Sequence, residues 1–275
     1  MVQVSQEPEA FLAFERDGWN TVIGGYERVF GPLTAQTVAP LLDAAGVTAG
    51  GRVLDLCTGH GVMAAAAAAR GAVVEGLDFA EDAVAAARRN VPAVTFRQGD
   101  AQALPHGDAS FDAALCAYGV MHVPDPARVL AEMRRVLRPG GRAAVSVWER
   151  PAAGNGYGLL FDSIRAHGRT DVPLPHGPDF FQFGDAEAMA AALRGAGFTD
   201  IRVTPVPQLW HFAAPGEMLD AILAGAVRSR ALLQAQAPDA FRAIGDAVAA
   251  GMARFRDGDG YRVAMPALVG SGTRA

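Results

Sequence analysis

The sequence predicts an α/β fold built on a doubly wound parallel sheet, and three observations carry that prediction. Short β-type runs alternate with helix-type runs through the middle of the chain, the pattern of parallel β-α-β units with right-handed crossovers. Several of the β-type runs are almost wholly apolar, as when both faces of a sheet are covered. The first of them also runs into a glycine turn, Val53-Leu54-Asp55-Leu56-Cys57-Thr58-Gly59-His60-Gly61. A strand-to-helix junction of this kind is where open α/β sheets receive ligands.

Residues 9–45 read as helical, with Phe11, Phe14, Trp19, Val22, Val29, Val38, Leu41 and Leu42 recurring at roughly helical spacing. From residue 52 the period changes. Strands are expected at Arg52–Cys57, Val73–Asp78, Val94–Gly99, Phe111–Ala117 and Arg142–Trp148, with helices at 61–70, 80–90 and 126–138 between them. The alanine tract Ala64–Ala69 favours helix strongly. Leu137-Arg138-Pro139-Gly140-Gly141 ends the third of those helices before the fifth strand. Residues 150–183, rich in proline, glycine and aromatics, are expected to form a long irregular connection. Such a length of loop in a compact domain is usually functional or mobile. A helix over Asp185–Gly195 and a strand over Thr199–Val206 follow. Two helical patterns fill 216–256, and a last strand is expected at Tyr261–Val269.

Composition narrows the function. Apolar residues make up 51% of the 275, enough for a large core in one domain with insertions. Basic and acidic side chains number 24 and 29 without a basic run, so the clustered positive charge of a nucleic-acid surface is missing. The expected partner is a small molecule. Two cysteines, Cys57 and Cys116, indicate no disulfide framework and a cytoplasmic setting, and are expected as buried free thiols. The start, MVQVSQEPEA, is polar and lacks an apolar signal core, and Val62–Ala69 is too short to span a bilayer. Six scattered histidines show no metal-ligand spacing.

The glycine turn alone leaves the ligand open. Gly59-x-Gly61-x-x-Ala64 followed by Asp78 also satisfies a dinucleotide fingerprint. Three further features point elsewhere. Asp55 precedes the glycines, where an acid opposes pyrophosphate but suits a ligand with an ammonium and a sulfonium. Gly99-Asp100-Ala101 ends the third strand, where a carboxylate can accept from an exocyclic amine and the next N–H can reach a ring nitrogen. Phe111-Asp112 opens the fourth strand, and Leu137-Arg138-Pro139-Gly140-Gly141 enters the fifth.

This ordered set resembles the class I S-adenosylmethionine-dependent methyltransferases, closely over residues 50–150. Among their branches it is similar to the bacterial small-molecule group that includes quinone-biosynthesis enzymes. The resemblance implies a Rossmann-like seven-stranded sheet in the order 3-2-1-4-5-7-6 with strand 7 antiparallel. Residues 1–275 would then be a single domain. Helices over 9–45 would lie above the cofactor, and insertions at 150–183 and 214–258 would form a substrate cap. It implies S-adenosylmethionine as cofactor, held by the turn residues Asp55, Thr58, Gly59, His60 and Gly61, by Asp78 at the ribose, and by Phe79 against the adenine. Asp100 and Ala101 would read the adenine, and Tyr26 and Ala117 would complete the cofactor site. The implied reaction is O- or C-methylation of an apolar or aromatic metabolite by a monomer or homodimer. Its rivals are a nicotinamide-dependent oxidoreductase, an S-adenosylmethionine-binding protein with other chemistry such as cyclisation, and a non-catalytic binding subunit.

Individual side chains carry different weights. His60 sits where the turn needs only a backbone, so an N–H contact is expected of it. Asp112 is expected to be structural, Met121 and Val123 core, and His106 solvated surface. His122, just beyond the fourth strand, is the candidate general base because imidazole titrates near neutrality. Trp19, Tyr118, His122, Tyr157, Phe180, Phe181 and Trp210 are the candidate acceptor residues, since many aromatics beyond the strand ends suit an apolar pocket.

Overall fold

The computed structural model describes residues 7–275. The polar start read from the sequence lies mostly outside them. The chain opens with α1 (Glu7–Val29), α2 (Gly31–Thr34) and α3 (Val38–Ala44), then alternates β1 (Arg52–Leu56), α4 (Val62–Ala69), β2 (Val73–Asp78), α5 (Glu81–Asn90) and β3 (Thr95–Gln98). It continues with β4 (Phe111–Ala117), α6 (Pro126–Val136), β5 (Leu137–Trp148), α7 (Gly156–His167), α8 (Ala186–Gly195) and β6 (Thr199–Val206). The remaining elements are β7 (Leu209–Phe212), α9 (Glu217–Gly225), α10 (Arg228–Gln234), α11 (Pro238–Gly251), β8 (Arg256–Asp257), β9 (Gly260–Ala264) and β10 (Ala267–Thr273).

Seven strands form one sheet in the order β3-β2-β1-β4-β5-β10-β6, with β10 antiparallel to both neighbours. The alternation of side chains along each strand divides the core into two layers. Leu54, Leu56, Ala114, Cys116, Val145 and Val147 pack toward α6, α7 and α8. Val53, Ala113, Leu115 and Ala144 pack toward α3, α4 and α5. Because both layers are filled, the central strands are apolar on both faces, which explains their unbroken runs. Local chemistry fixes the helix starts. Asp125, Asn155 and Asp185 each accept a hydrogen bond from an N–H in the first turn of α6, α7 and α8, at 3.1, 2.8 and 2.8 Å.

Four expectations need correction. The last strand of the large sheet is Ala267–Thr273, not Tyr261–Val269. Tyr261 belongs to β9, the middle strand of a separate antiparallel sheet in the order β7-β9-β8. The chain between β6 and β10 therefore carries a hairpin layer as well as helices, and three α-helices fill the span where two were expected. Residues 150–183 are not irregular throughout, since α7 occupies their centre, with Leu159, Leu160 and Ile164 buried on one face. His106 is not a solvated surface group. Its ring packs edge-on against Phe111 with centroids 5.2 Å apart, while Arg135 donates to its backbone carbonyl at 2.8 Å. Asp112 is structural as expected, its carboxylate accepting from the Arg52 N–H at 2.8 Å and pairing with Arg138 at 2.7 Å. No described helix is long and apolar enough to cross a membrane.

Helix α1 lies across the carboxyl ends of the central strands, packing on α5 at one side and α9 at the other. Its crossing with α9 is close enough that a Cβ on Gly25 would collide with the Ala224 carbonyl, backbone on backbone. Phe11, Glu15, Val22 and Ile23 form its buried face.

Candidate active site

Three cavities open beneath α1. The first is walled by Gly59, Asp78, Phe79, Ala117 and His122, with Trp19 and Tyr26 from α1. The second lies over the glycine turn against Asp55, Thr58, His60 and Met63. The third runs outward between Trp19, Phe30, Trp148, Tyr157 and Phe180, with His122 and Arg228 on its wall. Tyr26 and Tyr118 line all three, so the cavities are compartments of one site.

The turn is held by its own polar groups. Asp55, buried at the end of β1, accepts from the Thr58 hydroxyl at 2.6 Å. Asp78, at the end of β2, accepts from the N–H of Gly59 at 2.9 Å and of Ala80 at 3.0 Å. Gly59 and Gly61 take φ of +56° and +89°, in the left-handed region where a side chain is strained. Cys57 and Tyr118 occupy the same region at φ 52° and 53° without being glycine. They follow the adjacent strands β1 and β4, so two of the four non-glycine residues with positive φ among the described residues stand at the site. The Cys57 and Cys116 thiols are free and neighbouring. The hydrogen bond between them, together with burial, pushes the Cys57 thiol well up.

Two buried carboxylates face one another's field without an arginine partner among the described residues. Burial pushes the Asp55 carboxyl up to about 7, with the Thr58 hydroxyl and the Ala64 N–H opposing and Asp78 adding repulsion. Burial also raises Asp78, against hydrogen bonds from the Ala80 and Gly59 N–H groups. Such a pair asks for a ligand that brings hydroxyl donors and positive charge, and it repels a pyrophosphate. The arrangement therefore fits a ribose diol and an amino-acid cation, as in S-adenosylmethionine. Asp78→Ala is expected to weaken binding of S-adenosylhomocysteine at least tenfold by calorimetry, since it removes an acceptor and loosens the Gly59 turn together.

At the junction of the compartments, the Tyr118 hydroxyl donates to the Gln208 side chain at 2.8 Å, and Gln208 in turn donates to the Leu33 carbonyl at 2.7 Å. Burial pushes the Tyr118 hydroxyl well above its ordinary range. His122 Nδ1 lies 2.8 Å from Glu15 Oε2, and its ring meets Trp19 and Phe180 edge-on at 5.0 and 5.4 Å. Burial lowers the His60 imidazole and so favours its neutral form.

Of the residues expected from the sequence, Tyr26, Asp55, Thr58, Gly59, His60, Asp78, Phe79 and Ala117 come together on the first two compartments. Trp19, Tyr118, His122, Tyr157 and Phe180 meet around the third. Others stand off these walls. Asp100 turns back onto Gln102, accepting from its N–H at 2.8 Å, and neither Asp100 nor Ala101 faces a compartment. Gly61 serves as the turn that starts α4. Phe181 packs behind Tyr157 and Phe180, and Trp210 sits by a separate groove with its indole N–H donating to Val29 O at 3.1 Å. Sequence reading missed Glu15, Phe30, Thr34, Trp148 and Arg228. Glu15 alone had a signal: it interrupts the apolar stripe of α1 between Phe11 and Trp19, four residues from each.

Residues 54–145 match the family described as the methyltransferase domain. The demethylmenaquinone methyltransferase of Clavibacter sepedonicus is 31% identical over 206 residues, covering 70% of this chain and 80% of that protein. The chain belongs to the class I S-adenosylmethionine-dependent methyltransferases. A second relative in this family, the demethylmenaquinone methyltransferase of Renibacterium salmoninarum, is 40% identical over 114 residues, covering 42% of this chain. That match spans about half of the relative's length, 48%. Among solved methyltransferases, phosphoethanolamine N-methyltransferase 2 of Haemonchus contortus in complex with S-adenosyl-L-methionine shares the fold. Its TM-score is 0.56 at 19% identity, covering 93% of this chain and 57% of that one.

Proposed function

We propose that this methyltransferase moves the methyl group of S-adenosylmethionine to an oxygen or carbon of a small aromatic acceptor. The observation that carries this reading is the third compartment, whose aromatic walls adjoin the cofactor compartments at His122. When bound, S-adenosylmethionine supplies a methyl carbon on a positively charged sulfur, already equipped with its leaving group. The chain then has three tasks. Asp78 accepts from the ribose hydroxyls, while Asp55 and the glycine turn hold the amino-acid end. Trp19, Tyr26 and Tyr118 seal the junction between donor and acceptor, which aligns the reactants and excludes water. His122 accepts a proton from the acceptor's reacting group. The names of the relatives support a flat ring as acceptor, since both act on a demethylmenaquinone by name.

The test is in two stages. Calorimetry with S-adenosylhomocysteine and with NAD establishes the cofactor, and preference for NAD overturns the reading. Phenolic, quinone-like, amine and carboxylate acceptors are then screened for S-adenosylhomocysteine release, with the first two expected to turn over. With the best acceptor, His122→Ala is expected to cut kcat by about 10²- to 10⁴-fold. Unchanged turnover across pH removes His122 from the chemistry.

A further inference from the structure

Glu15 is an uncommon residue to find at 0% exposure inside an apolar helix face. One of its oxygens, Oε2, lies 2.8 Å from His122 Nδ1. The other, Oε1, lies 3.7 Å from Arg228 Nε and has no hydrogen-bond partner among the described residues. The Arg228 guanidinium lies over the rings of Phe11 and Phe180, 5.2 and 5.6 Å from their centroids. It donates twice to the Pro178 carbonyl, both at 3.1 Å. Its remaining N–H groups have no hydrogen-bond partner among the described residues, and the residue lines the acceptor compartment. His122, from the segment after β4, and Arg228, from α10, thus stand on the wall of that compartment, with Glu15 of α1 buried behind them and in contact with both.

The charges fix the roles. A carboxylate beside Nδ1 places the imidazole proton there, which leaves the Nε2 lone pair for the acceptor. Trp19 and Phe180 flank the ring and hold that orientation. Glu15 offsets Arg228 while His122 is neutral, and it stabilises the imidazolium once His122 has taken a proton. Because one carboxylate lies between His122 and Arg228, and both line the same compartment, a single small molecule can reach the two.

We propose that Glu15 is a positioning residue that orients His122 as the base, and that Arg228 binds a second, negatively charged oxygen beside the reacting hydroxyl of the acceptor. The inference rests on the methyl-transfer reading and names its substrate class: rings with a hydroxyl next to an anionic oxygen. In the step served, the hydroxyl proton moves to His122 Nε2, and the oxygen lone pair forms the O–CH₃ bond. The S–CH₃ bond breaks with its electron pair retained on sulfur, S-adenosylhomocysteine is left, and the proton passes from His122 to water.

Two measurements test it, both in protein saturated with S-adenosylhomocysteine, so that failure of that ligand to bind overturns the parent reading separately. The first is ¹⁵N NMR of the His122 ring at pH 8. The wild type is expected to show a protonated Nδ1 and a bare Nε2. Glu15→Gln, which keeps an oxygen acceptor, is expected to retain that form, and Glu15→Leu to lose it. A bare Nδ1 or a doubly protonated ring in the wild type, or no change in Glu15→Leu, overturns the positioning role. The second is tryptophan fluorescence titration with 2-hydroxybenzoate and its neutral analogue 2-hydroxybenzamide. The wild type is expected to bind the anion at least tenfold more tightly, and Arg228→Met to erase the difference. Equal binding of the two, or binding of neither, overturns the assignment of Arg228.

Discussion

Asp55→Asn is expected to stabilise the unliganded protein at pH 8 and to weaken its cofactor binding, two effects of opposite sign from one atom change. The carboxyl ionises near 4 in an unfolded chain and at about 7 in the folded one, where burial and the nearby Asp78 oppose its charge. The folded state therefore holds the proton more tightly. Its stability falls as pH rises from about 4 to about 7 and then levels, so the full penalty is present at pH 8. Asparagine removes the penalty and still offers an oxygen to the Thr58 hydroxyl. Thermal melts at pH 5 and pH 8 check the sign: the variant should gain at both, and clearly more at pH 8 than at pH 5. Cofactor binding runs the other way, because a cationic ligand favours the ionised form. Wild-type affinity should rise between pH 6 and pH 8, and binding at pH 6 should release a proton, seen by calorimetry in two buffers of different ionisation enthalpy. The variant should bind about tenfold more weakly at pH 8 and lose the proton release. A melting point at pH 8 no higher than wild type would contradict the charge argument.

The second large effect concerns the α1–α9 crossing. Gly24 and Gly25 are neighbours in one helix, yet alanine should act oppositely at the two. At Gly24 an added Cβ meets nothing within 4 Å, so Gly24→Ala should stabilise by the helix preference of alanine, about 0.5–1 kcal/mol. At Gly25 it meets the Ala224 carbonyl, a backbone atom that cannot rotate aside. Relief requires the helices to separate, and overpacking of this kind costs about 1–3 kcal/mol. Since α1 carries Trp19 and Tyr26, and residues 225–229 line the third compartment, separation also opens that cavity. Gly25→Ala should therefore lower the denaturation midpoint and raise the acceptor KM, while Gly24→Ala lowers neither stability nor affinity. Denaturant titration of both variants decides the matter. A stabilised Gly25→Ala would mean that the two helices can yield there.

The sheet was legible because periodicity and glycine turns are local signals. The strand order and an antiparallel last strand beside β5 agree with what the motifs implied, although that strand is Ala267–Thr273, and the turn acids Asp55 and Asp78 lie on neighbouring compartments. What escaped notice depended on distant chain. Gly156-Tyr157-Gly158 reads as loop, but Asn155 caps a helix there and the core beneath β5 covers its apolar face. The strand at Tyr261 alternates as a sheet strand should, and only its pairing with Leu209–Phe212 shows that it belongs to a second sheet. Arg228 becomes a site residue only when α10 is brought beside Glu15, across more than two hundred residues of sequence. The positive φ of Cys57 and Tyr118 has no sequence mark at all, since neither residue prefers it.

The place of β10 has a consequence for how the chain acquires its shape. This strand, near the end of the sequence, lies between β5 and β6 and hydrogen-bonds to both. During synthesis, then, β6 leaves the ribosome with no partner to dock on, and its open edge must wait for the stretch up to Thr273. The first five strands can assemble in order as they emerge, but closing the sheet requires contacts of long sequence separation, the slow kind in folding. An unpaired strand is prone to find another chain. The hairpin and helices between β6 and β10 thus lengthen the interval in which a nascent molecule is most exposed to misassembly.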